Sequence, residues 1–239
     1  MLELRKSDDR GVGKLDWLDA RFTFQFGPYT NPAQVGFSDL RLLNDDRVTG
    51  GGGFAEHEHK DTEVFSYVLE GALAHKDSMG DGSVVRAGDV LTMTTGTGIT
   101  HSEFNHSQTE PVRFLQIWMS AHRKGVAPRY AQQHFSAAEK RGRMRLIISP
   151  DGREGSLRFE NDARVFAGLL DGAERAEVDL GPGRYAYVHV IRGSVRVNGT
   201  LLEEGDGARV RNEETLAFSD GRDAEALVFD MRPLEVPEA

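Results

Sequence analysis

Twenty-seven glycines are spread along 239 residues and punctuate short segments rich in Val, Ile, Phe and Thr. That spacing is the pattern of strands joined by tight turns, so the chain is expected to be all-β, a sandwich or barrel. Residues 1–20 read as an edge strand, a polar loop and a turn near Asp16-Trp17-Leu18. Residues 21–26 alternate apolar and polar side chains, as a half-buried strand does. Residues 40–48 read as a strand running into an Asn44-Asp45-Asp46 turn. Residues 63–71, 72–75, 84–91 and 113–119 are further strands, with a hairpin loop at 77–82 and a bend at Gly96-Thr97-Gly98.

Two short stretches carry the chemistry. His57-Glu58-His59 and His101-Ser102-Glu103 each hold two metal-capable side chains one residue apart. In a strand, residues i and i+2 share a face. If the two strands are neighbours, His57, His59, His101 and Glu103 converge on one point, which is expected to hold a divalent transition metal. Three neutral imidazoles and one carboxylate do not choose sharply among such ions. Four protein ligands leave about two open positions on an octahedral ion.

Composition narrows the rest. A net charge of −9 argues against nucleic acid as a direct partner. With no cysteine there is no disulfide, thiolate ligand or Cys nucleophile, which fits a reducing cytoplasm. No signal peptide is visible, and no stretch approaches the roughly 20 apolar residues of a membrane span.

Residues 121–144 are polar and basic. Within them Ser136-Ala137-Ala138-Glu139 has the form of a capping box, so a short helix is expected. The second half then repeats the first faintly: the stretch around Gly193 resembles that around Gly71, an offset of about 120 residues, the size of a domain. In that alignment Asp179 and Gly181 stand where His57 and His59 stood. The expected organisation is a metal-binding unit over 1–122, a linker over 123–144 and a degenerate, metal-free copy over 145–239.

Gly51-x5-His57-x-His59 and Gly96-x-Gly98-x2-His101-x3-Asn105 resemble the two cupin motifs. The cupin pattern places a glutamate five residues after the second histidine. Here Val64 occupies that position, Glu63 comes one residue early and is expected to face the other way, and Glu103 supplies the carboxylate. Together with Tyr67-Val68-Leu69-Glu70-Gly71, His75-x-Asp77-Ser78-Met79-Gly80 and Pro128-Arg129-Tyr130, these motifs resemble the pirin family. The resemblance covers nearly the whole chain.

The resemblance implies a bicupin, two face-to-face jelly-roll β-barrels with metal only in the first. It implies Fe2+ as the ion, with Zn2+, Mn2+, Ni2+, Co2+ and Cu2+ compatible. Bacterial members are associated with quercetin 2,3-dioxygenase activity. That activity is O2-dependent opening of a flavonol's heterocyclic ring with release of carbon monoxide, and Glu103 would be both ligand and proton acceptor. The implied partners are a small phenolic substrate and O2, for a cytoplasmic chain expected to be monomeric. The alternative is a non-catalytic, redox-sensing protein-binding module, as in nuclear members that act with transcription factors.

Other residues have plainer readings. Glu63 is expected at the surface or in a salt bridge, and Glu56 and Glu58 point away from the ligand face. His75, His106, His122, His134 and His189 are expected to be structural or exposed. Lys60-Asp61 either supports the ligands or solvates a strand end. Phe22, Phe24, Phe26 and Phe54 are expected in the core rather than at a substrate mouth. Lys140-Arg141-Gly142-Arg143 reads as solvated linker.

Overall fold

The computed structural model describes residues 2–80 and 82–236. Met1, Asp81 of the expected 77–82 loop, and residues 237–239 of the expected second unit lie outside the described residues. The chain opens with β1 (Leu2–Arg5), a 3-10 turn (Ser7–Asp9), β2 (Gly11–Leu15) and β3 (Leu18–Phe22). A loop with a second 3-10 turn (Pro32–Gln34) leads to β4 (Leu40–Val48), β5 (Gly53–His59), β6 (Thr62–Glu70), β7 (Ala72–Asp77) and β8 (Gly82–Arg86). Then come β9 (Asp89–Thr94), β10 (Ile99–Asn105), β11 (Val112–Ser120), β12 (Arg129–His134) and α1 (Ala137–Lys140). The second half holds β13 (Met144–Ser149), β14 (Leu157–Arg158), β15 (Arg164–Leu170) and β16 (Ala176–Asp179). It ends with β17 (Tyr185–Val197), β18 (Thr200–Glu203), β19 (Gly207–Val210) and β20 (Thr215–Met231). Among the described residues no helix is long and apolar enough to cross a membrane.

The fold is all-β, two barrels packed face to face. A seven-stranded sheet, β12-β9-β6-β11-β4-β3-β2, and a four-stranded sheet, β5-β10-β7-β8, enclose the first barrel. A nine-stranded sheet, β1-β19-β17-β20-β15-β13-β14 with β16 on β20 and β18 on β17, wraps the second. Strand alternation separates three cores. Along β6, Val64 and Val68 join the first barrel's interior, while Phe65 and Tyr67 face the seam between barrels. Along β17, Val188 and Val190 fill the second barrel, while Tyr187 and Ile191 meet the seam. A strand buried on both faces reads as a continuous apolar run, which is why 64–68 and 186–191 look alike.

Several local expectations are corrected. The polar loop after β1 contains a strand, β2, and the strand expected over 21–26 runs from Leu18 to Phe22. Asn44, Asp45 and Asp46 form no turn. They lie inside β4, between β3 and β11, and are buried: Asn44 and Asp46 face a cavity rather than a packed core, and Asp45 faces the other way and pairs with Arg113. The linker carries β12, which pairs with β9 of the first barrel; its Arg-Tyr-Ala-Gln-Gln-His sequence has no apolar alternation to announce it. Finally, β1 pairs with β19 and so extends the sheet of the second barrel. The short helix does form, with Ser136 and Glu139 making both bonds of the capping box.

Candidate metal centre

β5 and β10 are antiparallel neighbours with His101 directly opposite His57. Beyond that pair the register shifts: Glu103 stands opposite Phe54, so β5 spends three residues where β10 spends two. Such a bulge re-aims side chains locally. One ring nitrogen from each of His57, His59 and His101 lies within 4.8 Å of the others. The ring centroids are 4.5 Å apart for His57 and His101, 4.9 Å for His57 and His59, and 5.0 Å for His59 and His101. Trp118 closes the cluster edge-on against His59 at 4.8 Å.

The donor set fits a divalent transition ion. Nδ1 of His57 lies 2.9 Å from the Ala55 carbonyl, an acceptor only, so it carries the hydrogen and leaves Nε2 as a lone pair. That Nε2 is 3.1 Å from Nε2 of His101. Nε2 of His59 is buried without a hydrogen-bond partner. Burial, and then the neighbouring His57, push His59 down to about 4. Burial, then His57, His59 and His75, push His101 down to about 2. Both rings are therefore neutral at physiological pH, the form that binds metal.

Glu103 is not part of this close cluster. It is buried on the same face, where its Oε1 contacts Ser66 Oγ at 2.9 Å and its Oε2 accepts from Gln116 Nε2 at 2.9 Å. Ser66 Oγ also lies 2.6 Å from Gln116 Oε1. A hydroxyl has one proton, so it cannot donate to both oxygens. A protonated Glu103 would resolve the conflict, in line with its pKa, which burial raises to about 7 against the lowering effect of Ser66 and Gln116.

His57 and Glu103 line a cavity of about 430 Å³. Its walls are aromatic: Trp17 meets Phe54 edge-to-face at 5.2 Å, and Phe26 meets Trp118 in the same manner at 5.6 Å. Of the four phenylalanines expected in the core, Phe26 and Phe54 thus line the cavity, while Phe22 and Phe24 are buried. Asn44 and Asp46 also line it, and each has a buried Oδ1 with no donor. Burial, with Asp45 and Glu103 nearby, raises Asp46 to about 8. Trp118 Nε1 is buried with no acceptor. Sequence reading misses this lining because Asn-Asp-Asp looks like a turn.

Glu63 corrects an expectation. It is not at the surface but fully buried at the seam end of β6, and Thr94 Oγ1 donates to its Oε2 at 2.8 Å. Burial raises it to about 7. Val64 lies in the first barrel's core, so Glu63 does face the other way. Glu56 and Glu58 are exposed. Lys60 is exposed too, and Asp61 caps a loop by accepting from Gly125 N at 2.7 Å. His75 is buried, stacked on Tyr130 with centroids 5.1 Å apart and 5.4 Å from the ring of His101. It is buried rather than exposed, and it stands directly behind a cluster histidine.

Asp39, His122 and Asp162 also approach one another. There, however, Arg232 takes both Asp39 oxygens at 2.8 and 2.9 Å, and Arg184 pairs with Asp162 at 2.9 Å. Those two cations already neutralise the carboxylates, so this is an ion-pair network.

The fold and the site together define a two-barrel cupin whose leading barrel carries three converging histidines beside an aromatic-walled cavity. The family model described as Pirin matches residues 5–119, and the one described as quercetinase C-terminal cupin domain matches residues 146–231. Quercetin 2,3-dioxygenase of Escherichia coli strain K12 is 39% identical over 234 residues, spanning 98% of this chain and 100% of that one. The crystal structure of YhhW from Escherichia coli superposes with a TM-score of 0.94 at 38% identity, covering 99% of this chain and 100% of that one. The crystal structure of bacterial pirin YhhW from the same organism, in complex with nickel(II), gives 0.93 at 38% identity over 98% of this chain and 100% of that one. The chain belongs to the pirin family.

Proposed function

We propose that this chain is a metal-dependent dioxygenase that opens the heterocyclic ring of a quercetin-like flavonol with O2. The observation that carries this reading is the three-histidine cluster at the edge of the aromatic-walled cavity of about 430 Å³. That volume lies in the range of sites for small organic ligands. His57, His59 and His101 would hold the ion, with Glu103 as a fourth ligand once it is bound. Iron(II) is the ion the family resemblance implies, and nickel(II) is the one in the complex of the Escherichia coli protein. Such an ion would supply Lewis acidity toward a substrate oxygen and redox chemistry toward dioxygen.

The chain's own residues do the rest. Trp17, Phe26, Phe54 and Trp118 sandwich a flat ring system and keep water away from it. Asn44 Oδ1 and Asp46 Oδ1 accept from substrate hydroxyls, and Trp118 Nε1 donates to a carbonyl; all three atoms otherwise lack a partner. Glu103, held by Ser66 and Gln116, takes the proton of the reacting hydroxyl in its ionised form, which a pKa of about 7 keeps within reach at neutral pH.

The test is incubation of metal-loaded protein with quercetin in air and under argon. Loss of the flavonol absorbance together with carbon monoxide release, in air only, is the expected result. Glu103→Gln should lower kcat by about a hundredfold or more. A flavonol spectrum unchanged in air with each candidate metal would remove the basis for this function.

A further inference from the structure

A second cleft, about 210 Å³ in volume, opens at the seam between the barrels, on the face of β4 opposite the cavity beside the histidines. Four arginines line it: Arg10, Arg21, Arg47 and Arg113. Three of them have carboxylate partners. Arg113 grips Asp45 through two bonds of 2.9 and 2.7 Å and reaches Glu204 at 3.4 Å; Arg21 pairs with Asp19; Arg47 pairs with Glu70 at 3.5 Å. Arg10 is the exception. It is only 6% exposed, and among the described residues its one side-chain bond is from Nη2 to the Arg21 carbonyl at 2.9 Å. No carboxylate lies within 4.0 Å of it among the described residues, and its Nε is buried without an acceptor. An isolated buried cation is costly unless something neutralises it.

The wall facing Arg10 is shaped to leave room. Gly205 has φ +80°, and a Cβ there would come within 2.3 Å of Ser7 Oγ and 3.5 Å of Arg10 Nη1. A bare glycine therefore keeps the guanidinium and the Ser7 hydroxyl open to the cleft. Asp45 favours the Arg10 charge from beyond contact distance, but it is gripped by Arg113, and Asp19 and Glu204 answer Arg21 and Arg113, so none of the three closes onto the Arg10 guanidinium. Arg10 is thus the cation of this cleft that no carboxylate contacts among the described residues.

We propose that this cleft binds a small oxyanion, a phosphate or carboxylate group, with Arg10 as its anchoring cation and Ser7 Oγ as a second donor. The site draws on both barrels: Arg21, Arg47 and Arg113 come from the seven-stranded sheet, and Gly205 from the turn between β18 and β19 of the other. Its occupant would fasten the seam. The proposal is independent of the chemistry at the histidines.

Inorganic phosphate and, separately, acetate are titrated into the full chain at constant ionic strength against chloride, by calorimetry and by the thermal midpoint. A saturable heat and a rise in midpoint with either anion are expected, and the responding arm names the group. Arg10→Met should weaken binding by about tenfold or more. It should still fold, because it removes an unpaired charge. Arg47→Gln alters a half-exposed rim cation and should weaken binding several-fold, which tests the site independently of Arg10. If neither anion acts beyond chloride at millimolar concentration, or if both variants bind as the wild type does, the proposal is overturned.

Discussion

Glu63 and Val64 are neighbours on β6 yet belong to different bodies of the molecule, one at the seam and the other in the first barrel. Burial raises the Glu63 carboxyl from 4.5 to about 7. Between those values the folded protein holds a proton that the unfolded chain has released. This contribution is intact below pH 4.5 and is lost as pH rises through about 7, a loss of at most about 3 kcal/mol. Glu63→Gln is therefore expected to raise the thermal midpoint at about pH 8 and to bring no gain near pH 4.5; equal gains at both would contradict the assignment. At the cluster, alanine in place of His57, His59 or His101 should bring metal content to background, measured by elemental analysis of purified protein. The histidine pairs are legible in the sequence because two-residue periodicity holds in any strand. Asn44 and Asp46 are not, since an Asn-Asp-Asp run is turn-like until its strand neighbours are known.

β5 and β10 approach so closely that a Cβ at Gly53 would meet Phe104 Cα at 2.5 Å and the Glu103 carbonyl at 2.6 Å. Gly53→Ala should wedge the two strands apart beside the bulge that follows the His57–His101 pair. The expected cost is about 1–3 kcal/mol of stability and about tenfold weaker metal binding with every histidine present. Denaturant unfolding and a competitive chelator titration measure the two effects; unchanged metal affinity would show that the bulge does not govern the cluster. The shift itself leaves no mark in the sequence, because it is a relation between two strands more than forty residues apart. The same holds for β12, whose partner β9 supplies the order that its own residues do not predict.

Across the seam, Lys140 from α1, Tyr67 from β6 and Glu225 from β20 form one buried network. Tyr67 donates to Glu225 at 2.6 Å and Lys140 lies 3.0 Å from the same oxygen. The stretch read as solvated linker thus begins with a buried residue, because the helix turns Lys140 inward. Lys140→Met leaves Glu225 with only Tyr67 and Arg192 and should cost about 3 kcal/mol. A second change, Glu225→Met, should recover more than half of that in a double-mutant cycle, and full stability in the single variant would rule the network out as a clamp. The architecture is otherwise legible at this scale, since both-face burial leaves paired apolar runs in each half. The route of β1 is not, and it bears on how the chain is made. Its partner β19 lies some two hundred residues downstream, roughly 10–40 s of ribosome travel. Throughout that interval β1 lacks its partner, so a nascent chain must keep this strand in reserve, and the second barrel's sheet is completed by a segment made long before the strand it pairs with.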